Sequence, residues 1–164
     1  MAADPAPTPE RQFLRHTLAT VAYRGGKALR GAPEGFSSFQ AGDGSRTAGE
    51  ILAHIGDLYD WLAALLEGRH VWRDPTVRSW EEDVARFFEG LRRADAVLAS
   101  DAPLGFPVER LFQGPVADSL THIGQIAMLR RLAGSPVKGE NYFKAEIRAG
   151  DVGPEQAAAR VEFD

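Results

Sequence analysis

The chain of 164 residues has no cysteine. That excludes disulfides, thiolate-bound metal and a cysteine nucleophile, so any metal has to be held by histidine and carboxylate. It also lacks long apolar runs: none approaches the ~18 residues needed to cross a bilayer, and a soluble, cytoplasmic protein without a membrane partner is expected. An excess of basic charge is lacking too. The formal net charge is -4, which leaves no cationic footprint for a phosphate backbone, so no nucleic-acid partner is expected. Convincing alternation of apolar and polar residues, the mark of a half-buried strand, is missing as well.

What is present is enough apolar matter to fold. Hydrophobic residues make up 44% of the chain, more than a disordered sequence carries, and the length suits one domain over residues 1–164. A Pro/Ala-rich lead, residues 1–7, is expected to be disordered. Four stretches then show the three- and four-residue spacing of amphipathic helices. The first runs from about Thr8 to Arg30 through Phe13, Leu14, Leu18, Val21 and Leu29, with Gly25 and Gly26 weakening its last turns. A Gly/Pro/Ser-rich loop, residues 31–45, follows.

Thr47 and Glu50 form a capping box, in which each side chain satisfies a backbone donor at the start of a helix. The stripe Ile51, Leu52, Ile55, Leu58, Leu62, Leu65 and Leu66 continues it, and Gly68 marks its end. After a loop containing Pro75, a second box at Ser79 and Glu82 opens a third helix carrying Val84, Phe87, Phe88, Leu91, Val97 and Leu98, which ends near Ser100. For the fourth, Gly114 is read as the N-cap and Pro115 as the first helical residue. Val116, Leu120, Ile123, Ile126 and Leu129 form its core face, and Gly134 with Pro136 closes it. Residues 135–164 form a C-terminal extension, including Tyr142, Phe143 and an Ala-rich stretch near Ala157, that either folds over as a lid or packs against the helices. The fold class expected is all-α, a four-helix bundle.

Four histidines are available. His54 lies beside the buried stripe of the second helix and is expected to point inward. Asp118, His122 and Gln125 stand at i, i+4 and i+7, one polar seam along the fourth helix. Polar groups on an inward face have to be hydrogen-bonded, paired or coordinated, because stranding one costs on the order of 1 to 3 kcal/mol. Two imidazoles and a carboxylate suit a divalent first-row metal such as zinc, nickel, iron or manganese. The plainer alternatives are a satisfied core histidine at His54, a helix-dipole role for Asp118, and an ordinary Asp118–His122 ion pair.

The stretch Glu50-Ile-Leu-Ala-His54-Ile, with Trp61 and Leu62 after it, and the stretch Asp118-Ser-Leu-Thr-His122-Ile-Gly-Gln125-Ile-Ala-Met-Leu-Arg130 resemble the two signature helices of the DinB/YfiT-like superfamily. The resemblance spans most of the chain. It implies a four-helix bundle of unusual connectivity, often homodimeric, with metal ligands at His54, Asp118 and His122 and with Gln125 supporting them by hydrogen bonds. Relatives commonly have a third histidine where this chain has Asp118. A carboxylate leaves the metal about one unit less positive, which lowers its Lewis acidity.

The resemblance further implies one of two things. One is a metal-dependent enzyme, either a transferase or isomerase acting with a low-molecular-weight thiol or a metal-assisted hydrolase. The other is a non-catalytic, stress-associated dimer that binds metal or a small molecule. Among the remaining signals, Glu50 is assigned to capping, and His16 and His70 to the surface or its boundary. Arg130 and Arg131 suit the dipole of the fourth helix, with anion binding a lesser alternative. The aromatics Tyr59, Trp61, Trp72, Trp80, Tyr142 and Phe143 line either a pocket mouth or the core.

Overall fold

The computed structural model describes residues 7–73 and 76–163. Pro75 of the expected loop and residues 1–6 of the lead lie outside them. The fold is predominantly helical, with α1 spanning Pro9–Leu29, α2 Ala48–Leu66, α3 Trp80–Ala99, a short α4 Val108–Leu111, and α5 Ala117–Leu132. Helices α1 and α2 each pack on both α3 and α5. The enclosed core includes Leu18, Leu52, Tyr59, Leu62, Phe87, Leu91 and Ile126, all fully buried.

The helix starts follow the local chemistry. Thr47 accepts from the Glu50 N–H at 3.2 Å while Glu50 accepts from the Thr47 N–H at 2.7 Å, and Ser79 with Glu82 repeats the arrangement. Each cap stabilises its helix by ~1 kcal/mol. Helices α2 and α5 both end in Schellman motifs. The Gly68 and Gly134 N–H groups bond Leu65 and Arg131 carbonyls, and the next N–H in each case reaches one residue further back, to Ala64 and Arg130. The glycines sit at φ 80° and 76°, a region that other residues occupy only at a cost.

Several expectations need correction. Helix α1 runs unbroken through Gly25, which is required rather than tolerated: a Cβ there would lie 2.6 Å from the Phe87 ring and 3.2 Å from Ile123. Phe13, assigned to the apolar stripe, is 70% exposed. The fourth long segment does not begin at Gly114. The backbone is already helical at Val108 and passes through a π turn, Phe112–Val116, that contains Pro115. Proline has no N–H to give and its ring crowds the carbonyl four residues back, so a widened turn accommodates it without breaking the helix.

The extension forms a two-residue antiparallel ladder, β1 Gly139–Glu140 with β2 Glu162–Phe163, where no strand is expected from the sequence. The ladder is fastened to α1. Tyr23 donates to Glu140 at 2.6 Å, and Lys27 bonds Glu140 at 2.7 Å and Glu162 at 2.8 Å. Arg130 is likewise committed. The residue is 4% exposed, and its guanidinium bonds the carbonyls of Ala28, Arg30, Gly31 and Ser135 at 2.9 to 3.1 Å. It thus caps the C-terminal carbonyls of α1 from α5, which removes the anion-binding alternative for Arg130, and burial lowers its pKa.

Candidate metal centre

The register between α2 and α5 is set beside the centre by a buried hydrogen bond. The Tyr59 hydroxyl meets Ser119 Oγ at 2.9 Å, and Ser119 in turn donates to the Val116 carbonyl at 2.7 Å. Burial pushes the Tyr59 phenol pKa up, so it stays protonated and available as donor. Ser119 adjoins Asp118 in the chain, and Tyr59 lies five residues beyond His54 on α2.

His54, Asp118 and His122 come together, with one ligand atom from each lying within 4.8 Å of the others. Asp118 Oδ2 stands 3.5 Å from Nε2 of His54 and 3.5 Å from Nε2 of His122. Those separations are long for hydrogen bonds and close to the ~3.3 Å between donors arranged tetrahedrally at ~2.0–2.1 Å from one metal ion. The two imidazole rings are 4.6 Å apart and nearly perpendicular.

The proton placement also fits a cation. His122 Nδ1 lies 2.9 Å from Gln125 Oε1. A carbonyl oxygen only accepts, so Nδ1 carries a hydrogen, and in the neutral imidazole Nε2 then presents its lone pair toward the Asp118 carboxylate. Two acceptors facing each other repel unless a cation or a proton lies between them. Burial, reinforced by His122 and Arg46, lowers the His54 pKa against the opposing pull of Asp118. His54 is therefore neutral at pH 7, and an ion pair with Asp118 does not account for its position.

The helix-dipole alternative for Asp118 fails on geometry. The backbone is helical without a break from Val108 to Leu132, so Asp118 does not face a free N-terminus. Glu50 is held by its capping bond, and His16 and His70 are exposed and outside the group. His70 stacks on Trp61 with ring centroids 5.6 Å apart, Trp61 meets Trp72 edge-on at 5.6 Å, and Trp72 lies 5.8 Å from His54.

Of the aromatics considered for the mouth, Trp61 and Trp72 take that place. Tyr59 is core, Trp80 packs on Phe36, and Tyr142 sits against Tyr23. Phe143 is 96% exposed and so lines no pocket mouth, and Glu140 and Glu162 tie the extension to α1. Arg46, one residue before the Thr47 cap, is a neighbour that periodicity does not reveal, because it lies in the loop ahead of the helix.

The side chains of His54 and His122 are 17% and 13% exposed, whereas that of Asp118 is 46% exposed. The donors therefore form a half-sheltered patch, open on the carboxylate side. Among the described residues no helix is long and apolar enough to cross a membrane. Compared with protein-family models, curated proteins and solved structures, the chain gives no match, so the site is read from its own residues.

Proposed function

We propose that the chain is a metal-dependent enzyme of the DinB/YfiT-like kind. In this reading it is a four-helix bundle in which His54, Asp118 and His122 hold one divalent ion, and it works as a transferase or isomerase on a low-molecular-weight thiol. Packing of α1 and α2 on both α3 and α5 supports the bundle. The observation that carries the reading of the site is the pair of 3.5 Å separations between Asp118 Oδ2 and the two imidazole Nε2 atoms. When bound, a divalent metal supplies Lewis-acid chemistry, lowering the pKa of a coordinating thiol or water.

The chain's own residues prepare that chemistry. Gln125 fixes the tautomer of His122, and burial keeps His54 deprotonated. Asp118 contributes one negative charge, which balances half of a divalent ion and tempers its acidity relative to three histidines. Trp72 covers one side of His54.

Elemental analysis of protein purified without an affinity tag tests the site, and a thiol-conjugation assay on metal-loaded protein tests the reaction. About one ion per chain is expected for the wild type, with loss of most of it in His54→Ala and His122→Ala. Full metal content in both variants would sink the assignment. Full occupancy without conjugation of any thiol would point instead to metal-assisted hydrolysis or to a centre without turnover.

A further inference from the structure

A cavity of about 480 Å³ opens beside the centre, reaching His122 and Gln125, a size in the range of small-molecule sites. Its floor is apolar, formed by Ile51 and Leu129, each 5% exposed. Its walls are Met128 and Leu132, large hydrophobic side chains left 57% and 56% exposed. The one charged side chain among its lining residues is Arg46, and among the described residues no carboxylate pairs with it. In the cavity lined by Asp57 and Asp60, by contrast, four of the five arginines are ion-paired: Arg86 with Asp57 and Asp60, Arg93 with Asp60, Arg69 with Glu67 and Arg78 with Asp83.

An apolar trough with a single unpaired guanidinium at its rim selects for one kind of molecule. The trough favours an alkyl or aryl body by removing it from water. The guanidinium favours an anionic end, with which it forms charge-assisted, bidentate bonds.

We propose that the substrate of this centre is an apolar acid, an alkyl or aryl molecule with its anionic group on Arg46 and its body along Ile51, Leu129, Met128 and Leu132. The proposal rests on the metal reading for the reaction but not for the binding. The acid enters beside His122, so the atoms next to its apolar body are the ones presented to the centre.

Calorimetric titration of the full chain with octanoate, octan-1-ol and octylamine, with and without zinc, tests it. Octanoate is expected to bind more tightly than the other two in both metal states. Arg46→Gln should weaken octanoate about tenfold, as expected for the loss of a charged hydrogen-bond donor, and leave octan-1-ol unchanged. Leu132→Asn, a neutral polar change at an exposed position, should weaken all three. Octanoate binding no tighter than octylamine, or unaltered by Arg46→Gln, would overturn the proposal, as would octanoate binding seen only with zinc. Octanoate binding that persists in a wild type unable to bind zinc would uphold the acid site while removing the metal centre.

Discussion

Replacing Gln125 with alanine isolates the part of the metal-site argument that depends on proton placement. Gln125 is exposed and on α5, and alanine is the better helix former, so the substitution should leave the fold intact. What is lost is the 2.9 Å bond that keeps hydrogen on His122 Nδ1. Without it the imidazole is free to turn and to place its proton on Nε2, where it would have to be released before coordination.

Outer hydrogen-bond partners of metal-binding histidines are worth ~10–100-fold in affinity, or about 1.4 to 2.7 kcal/mol. The exposure of Gln125 places this case toward the lower end. Competition for zinc against a chromophoric chelator at pH 7.5 measures it, with apo-protein melting curves confirming that the variant folds. Gln125→Glu keeps the acceptor and adds negative charge, so it should bind zinc at least as tightly as the wild type. If Gln125→Ala stays within about twofold of the wild type while His122→Ala loses the metal, the tautomer argument is refuted although the ligand set survives.

Two further perturbations follow from other parts of the structure. Burial holds the folded-state pKa of His54 below the ordinary 6.5, so the unfolded chain takes up a proton that the folded chain resists. The stabilisation is present above pH 6.5 and is lost as pH falls through the depressed value. The apo protein should therefore melt at lower temperature as pH drops from about 7 to 5.5, and a His54→Gln variant should show a shallower slope, while equal slopes would refute it. Arg130→Met should destabilise by ~3 kcal/mol or more in urea unfolding, since it strands carbonyls of Ala28, Arg30, Gly31 and Ser135 around a buried site. A loss under about 1 kcal/mol would show that these carbonyls find other partners.

What the sequence disclosed was what local chemistry decides. The capping boxes at Thr47 and Ser79 involve partners three residues apart, and the seam of Asp118, His122 and Gln125 is a matter of spacing on one helix. Arg130 was not legible in this way, because the carbonyls it serves on α1 lie about a hundred residues earlier and no periodicity points across that gap. The attachment of Glu140 to Tyr23 and Lys27 is of the same kind. His54 is intermediate: its own helix indicates a face but not which residue it meets, and its grouping with Asp118 and His122 came from the chemistry of a shared donor set and from the resemblance to the DinB/YfiT-like pattern.

The π turn has the largest consequence of the features that sequence reading missed. In an unbroken α-helix at ~100° per residue, Leu111, Asp118 and His122, seven and eleven residues apart, fall within about 20° of one line. A buried Leu111 would then draw both polar residues toward the same dry interior. The turn at Phe112–Val116 takes up one extra residue and rotates everything after it by about 100° relative to α4. Leu111 is accordingly fully buried while the Asp118 side chain is 46% exposed. The Gly114–Pro115 pair, which reads as a helix start, thus works as a phase change: it lets one continuous segment bury an apolar residue and still present a carboxylate at a site open to solvent.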